Sequence, residues 1–96
     1  MAVKLNHTIV HSFDQRAAAE FYAEIFGLPE PKAFGPFLDV DTANGVTLAF
    51  LDHPEKGLQM QHYAFLVSDD EFERIFARSK ARALRYWADP GRGVYF

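Results

Sequence analysis

A chain of 96 residues allows one domain, near the small end of what folds unaided, and 49% hydrophobic residues with ten Phe, four Tyr and one Trp can build a core for it. The absence of cysteine excludes disulfides, thiolate metal sites and a cysteine nucleophile, and a net charge of −3 argues against the basic face that nucleic-acid binding needs. No apolar run approaches the roughly 20 residues of a membrane span, and Met1 to Asn6 lacks a signal-peptide core, so the expectation is a cytoplasmic protein without membrane contact.

Leu5 to Val10 reads as a first strand, apolar and β-branched. Ser12 and Asp14 are both competent N-caps, and Ser12 with Gln15 has capping-box spacing. Arg16 to Phe26 is then dominated by helix formers, with Phe21, Tyr22, Ile25 and Phe26 on one stripe. Gly27 supplies the stop, and Pro29 and Pro31 prevent continuation. Gly35 to Asp41 alternates apolar and acidic residues toward its end, as a half-exposed strand does. Asn44-Gly45 is a hairpin signal, and Val46 to Leu51 is the return strand. A loop over 52–57, containing His53 in a solvent-exposed setting, closes this first unit.

The pattern then restarts. Gln61 to Val67 is a second apolar strand, with Tyr63 alternating away from His62 to pack under a helix. Ser68 to Glu71 is a capping box that opens a helix with Phe72, Ile75 and Phe76 on its stripe. The basic residues from Arg74 to Arg85 form the solvated face of this segment. Leu84 to Ala88 reads as a short strand, Asp89 to Gly93 as a turn, and Val94-Tyr95-Phe96 as the start of another strand. Asn6-His7-Thr8-Ile9-Val10 lies over Gln61-His62-Tyr63-Ala64-Phe65, so the two halves carry a histidine at equivalent places. A duplication of this kind predicts a pseudo-two-fold in which equivalent residues converge.

These stretches, together with Phe21 to Pro29, Gly35-Pro36-Phe37, Asn44-Gly45-Val46 and Trp87-Ala88-Asp89-Pro90, resemble the vicinal-oxygen-chelate superfamily of glyoxalase, bleomycin-resistance and dioxygenase proteins. The resemblance implies an α+β fold of paired βαβββ modules forming a cupped mixed sheet. As one domain over 1–96, module one would take about 1–57 and module two about 58–96, incomplete and missing its last strand. It implies His7 and His62 as ligands of a divalent metal (Fe, Mn, Zn or Ni). The third ligand of relatives is a glutamate a few residues beyond the stretch matching Gly93-Val94-Tyr95-Phe96, and the junction at Gly91-Arg92-Gly93 is shorter than theirs. The position of a fourth, on the last strand of module one, is taken by Ala49, which coordinates nothing.

Two imidazoles and one carboxylate leave positions open for a substrate that chelates through vicinal oxygens. Beside them, His11 shares strand parity with His7, and Phe37 and Phe50, with Phe34, are candidates to line an apolar pocket. Two functions stay open. One is a metal-dependent dioxygenase or lyase/isomerase acting on a small molecule. The other is a metal-free protein of the bleomycin-resistance kind, sequestering a drug or metabolite. Thiol transfer to an antibiotic is a third, for which no potassium or phosphonate contacts are recognisable. A homodimer is expected, because cupped sheets leave edges and apolar surface for a second copy to cover.

Overall fold

A computed structural model describes residues 3–52 and 61–86. The chain divides into two compact units, one ending at Phe65 and one beginning at Leu66. In the first, β1 (His7–Ser12), α1 (Gln15–Phe26), β2 (Lys32–Phe34), β3 (Phe37–Asp41) and β4 (Thr47–Asp52) follow in chain order. They build a four-stranded mixed sheet in the order β1-β4-β3-β2, with β1 parallel to β4 and the other pairs antiparallel. This is one complete βαβββ module of an α+β fold.

Strand β1 runs to Ser12, two residues past its expected end, and this changes the cap of α1. Asp14 is the N-cap, extended at φ −142° and ψ 97°, and its Oδ1 accepts from the Ala17 amide at 3.1 Å. Ser12 is therefore a buried strand residue, and the expected capping box does not form. Gln15 is used differently: its backbone amide donates to Asp52 Oδ1 at 2.8 Å, and its Nε2 donates to the carbonyls of Phe50 and Pro36 at 2.8 and 3.0 Å. One side chain thus ties the helix start to β4 and to the β2–β3 turn. At the other end Gly27 takes φ 67°, and the Leu28 amide reaches the Ala23 carbonyl at 2.8 Å, closing the helix with a Schellman-type bond.

The segment read as one strand from Gly35 is in fact the second arm of a tight hairpin. Phe34 pairs with Phe37 across Gly35-Pro36, and Gly35 has the positive φ (57°) that a II′-type turn needs at its first central position. The Asn44-Gly45 hairpin forms as a three-residue loop instead of a two-residue one. Thr42 and Val46 close it at 2.9 Å, and Gly45 takes φ 83°.

Strand parity assigns the two faces of the sheet. Val10, Leu38, Val40, Leu48 and Phe50 point under α1 and pack with Ala19 and Ala23 as the core. The alanines, not the expected aromatic stripe, lie nearest the sheet: Ala19 is fully buried, while Phe21, Tyr22 and Phe26 are half-buried. Small side chains at i and i+4 let the helix approach closely, and Tyr22 and Phe26 fill the flank. Residues 61–65 form no strand, yet Tyr63 packs against this core as its parity predicted, and Phe65 packs there too. The Phe65 ring lies 4.4 Å from Phe26 and 6.4 Å from Tyr22, centroid to centroid.

The second unit contains α2 (Asp69–Ala81). Ser68 caps it as expected, accepting from the Glu71 amide at 3.2 Å, and Asp69, Asp70 and Glu71 complement the positive end of the helix dipole. Phe76 meets the tilted Phe72 ring at 5.7 Å and Tyr86 edge-on at 4.9 Å, and Lys80 lies 4.4 Å above the Phe76 ring. Leu84 to Tyr86 form no strand. The rest of that expected strand, His53, Gly91 to Gly93 and the Val94 to Phe96 strand lie outside the described residues. Among the described residues, no helix is long and apolar enough to cross a membrane.

Candidate functional site

The face of the sheet turned away from α1 carries the odd-numbered residues of β1, β3 and β4. Three transverse rows follow from the register. His7 stands beside Thr47, and Thr47 beside Asp41. Ile9 stands beside Ala49, Asp39 and Lys32, and His11 beside Leu51. Phe37 and Phe34 are paired at the far edge. The His7 end is polar: Thr47 Oγ1 donates to Asp41 Oδ1 at 2.8 Å, and Lys32 Nζ lies 3.8 Å from Asp41 Oδ2. The other end sets His11 beside Leu51, with Phe37 and Phe34 at the far edge.

His7 and His11 are both exposed on this face, at the two ends of edge strand β1. Four residues of strand separate them by about 13 Å, too far to share one ion. Phe37 is half-buried on the same face. Phe50 is not on it. Its side chain is fully buried beneath α1, with its ring 5.2 Å from that of Tyr22 in an edge contact. Its place as a candidate pocket residue is corrected by parity: β4 turns Phe50 inward together with Leu48.

His62 is exposed, on the side of its segment opposite Tyr63 and Phe65. Both candidate ligands are thus held off the core by residues that alternate with them. His7 Nδ1 lies 2.7 Å from Asn6 Oδ1. Because that oxygen only accepts, the ring nitrogen donates, and in the neutral ring this leaves the lone pair on Nε2. One imidazole is therefore chemically fit to bind a divalent ion. Among the described residues, no group of three or more His, Asp or Glu is placed to hold one.

Two polar features of this unit escaped the reading of the sequence. Asp39 Oδ1 is buried with no hydrogen-bond partner among the described residues, although Asp39 faces outward beside Ala49. The alternation from Phe37 to Asp41 gave its facing but not its burial. Tyr22 has a phenol whose pKa is raised, first by burial and then by the neighbouring Tyr63 phenol. A shallow cleft of about 430 Å³ lies away from all of these, lined by Arg16, Glu20 and Glu24 of α1 and by Leu28, Glu30 and Pro31 beyond it. It contains none of the candidate site residues.

Residues 4–96 match the family described as the Glyoxalase/Bleomycin resistance protein/Dioxygenase superfamily. Among solved structures the chain is similar to oxidase ChaP-H1, with 53% identity and a TM-score of 0.88, covering 94% of this chain and 72% of that one. Oxidase ChaP-H2 is 50% identical at a TM-score of 0.88, over 94% of this chain and 70% of its own. A protein described as a "possible Glyoxalase from Bacillus cereus" shares the fold at 24% identity and a TM-score of 0.66, over 84% and 75% of the two chains. No curated protein matches.

Proposed function

The chain belongs to the Glyoxalase/Bleomycin resistance protein/Dioxygenase superfamily, and from that membership we propose that it is a metal-dependent oxidase acting on a small molecule that chelates through two adjacent oxygens. The observation that carries this reading is the exposure of both histidines, His7 and His62, on segments whose alternate residues are packed. A histidine retained only for structure would be expected to spend its polar atoms on buried partners. The similarity at 50–53% identity to two proteins named as oxidases supports oxidation among the chemistries of the superfamily.

His7 and His62 would hold the ion, completed by a carboxylate. When bound, a divalent metal with two imidazoles and one carboxylate supplies a Lewis acid with open positions. The chain's own contributions are simpler. His7 presents Nε2, the Thr47–Asp41 pair keeps that end of the face polar, and Leu51 with Phe37 offers apolar contact beyond it. The protein would act in the cytoplasm as a homodimer.

The test is the metal content of the purified protein by elemental analysis, beside His7→Ala and His62→Ala. Stoichiometric Fe, Mn, Zn or Ni in the parent and its loss from both variants, with unchanged circular dichroism, is the expected result. A parent that takes up no metal after reconstitution would refute the metalloenzyme and favour a ligand-sequestering protein. Metal retained by either variant removes that histidine from the ligand set.

A further inference from the structure

The outward face of the sheet holds a carboxylate that the fold leaves without a partner. Asp39 stands at the centre of β3, with Ala49 beside it on β4 and Lys32 beside it on β2. Its Oδ1 is shielded from water, yet no hydrogen-bond donor meets it among the described residues. Lys32, the cation opposite it in register, places its ammonium 3.8 Å from Asp41 instead. Burying an acceptor in this way costs stability. Beside it the face dips, because Ala49 carries only a methyl group between Ile9 and Asp39. Ile9 is exposed, and Phe37 and Leu51 are half-buried, so apolar surface borders the carboxylate on the open side of the sheet.

We infer that Asp39 is the acceptor for a hydroxyl group of an aryl ligand whose ring lies over Ile9 and Ala49. The inference deepens the proposed function and rests on it for the class of ligand, a small molecule with ring oxygens, but it needs no metal. The Asp39 side chain as a whole is half-buried, and rotation about its Cβ–Cγ bond, which is broad for aspartate, presents either oxygen to the open side. A carboxylate already deprived of water gains most from a donor that carries its own apolar cover. A flat ring with a hydroxyl supplies both: the O–H donates to the carboxylate, and the ring covers Ile9 and the Ala49 methyl. An ether on the same ring has no proton to give and sets its lone pairs against those of the acid. A hydrogen bond to a charged acceptor corresponds to about 10–100-fold in affinity.

The test uses the full chain in the presence of a metal chelator, with phenol and anisole as probes. Neither chelates an ion, and they differ in the hydroxyl proton. Titrations followed by ¹H–¹⁵N spectra give both dissociation constants and the place of binding. The parent should bind phenol about 10–100-fold more tightly than anisole, with the largest shifts at Ile9, Asp39 and Ala49. Asp39→Val should lose that preference while melting at or above the parent's temperature. Asp39→Asn, which keeps the shape and a neutral acceptor, should retain part of it. A purely structural carboxylate would give the opposite pair of results, a lower melting temperature and an unchanged preference. A parent that binds both probes alike or neither, shifts centred elsewhere, or a parental preference in Asp39→Val overturns the inference. If elemental analysis finds no metal while the preference for phenol holds, the metalloenzyme reading falls and the role of Asp39 stands.

Discussion

Phenylalanines 37 and 50 look alike in the sequence, and the fold assigns them opposite duties that can be separated by truncation. Phe50 is fully buried between β4 and α1, against the Tyr22 ring at 5.2 Å. Phe50→Ala removes a phenyl ring from a close-packed layer and leaves a cavity, which costs about 3–5 kcal/mol. A chain of this length has a total stability of roughly 5–14 kcal/mol. At about 4–5 °C per kcal/mol, the melting temperature should fall by about 12–25 °C. Phe37 is half-buried on the opposite face, so Phe37→Ala forfeits only part of its transfer energy, about 1 kcal/mol, or some 5 °C. Urea unfolding followed by circular dichroism, with thermal melts alongside, measures both. Equal losses for the two variants, or a Phe50→Ala shift below about 5 °C, would refute the assignment of faces and every placement that depends on it.

Other perturbations probe the same unit. Gln15→Ala strips two carbonyls, those of Phe50 and Pro36, of their Nε2 donor, and should cost about 2–3 kcal/mol in urea unfolding. A loss below 0.5 kcal/mol, on the order of a neutral surface change, would mean that water replaces the clasp. Asp39→Val replaces an unpartnered buried carboxylate oxygen with a β-branched side chain on a strand; stability should rise by about 1 kcal/mol, and a fall would show that the carboxylate has a stabilising partner. Burial raises the Tyr22 pKa above its unfolded value of 10.0. Above that pH the unfolded chain loses its proton first, so the unfolded state is favoured. Stability from this group is complete below pH 10 and declines as pH rises through the folded pKa. Tyr22→Phe should flatten that alkaline decline in pH-dependent melts, and an unchanged slope would place its cause elsewhere.

The parts of the fold that were legible in the sequence are those where one local rule decides. Ser68 with Glu71 announces α2, Gly27 ends α1, and Asn44-Gly45 turns the chain. The misreadings occur where two local rules compete and tertiary pairing chooses. Ser12 and Asp14 could each cap α1, and the parallel pairing of Ser12 with Asp52 claims the first for β1. Gly35-Pro36 could begin a strand or turn one, and β2, only three residues long, is too short to announce itself. Phe50 was misplaced for a related reason. Leu48, Ala49, Phe50 and Leu51 are all apolar, so alternation carries no signal there, and only the register with Leu38 reveals which residues point inward. Where alternation does survive, at Phe37 to Asp41 and at His62 to Phe65, the facing read from the sequence holds.

The geometry of the open face also limits how His7 could be used. Its carboxylates are Asp39 and Asp41. Asp41 already accepts from Thr47 and pairs with Lys32, and in register it stands two strands from His7. At about 4.8 Å per strand their backbones are nearly 10 Å apart, and among the described residues no group of three or more His, Asp or Glu is placed to hold an ion. Asp39 is farther still, displaced by two residues along the strand as well. Ala49 fills the centre of the face with a methyl group, and His11 is beyond reach along β1. On the sheet, Asp41 is thus engaged by Thr47 and Lys32 and is not offered freely to an ion at His7. Under the proposed reading, a site at His7 would draw its other ligands from off the sheet, and among the described residues His62 is exposed there. An ion held in that way has few protein ligands and keeps coordination positions free, which is what binding a substrate through two adjacent oxygens requires.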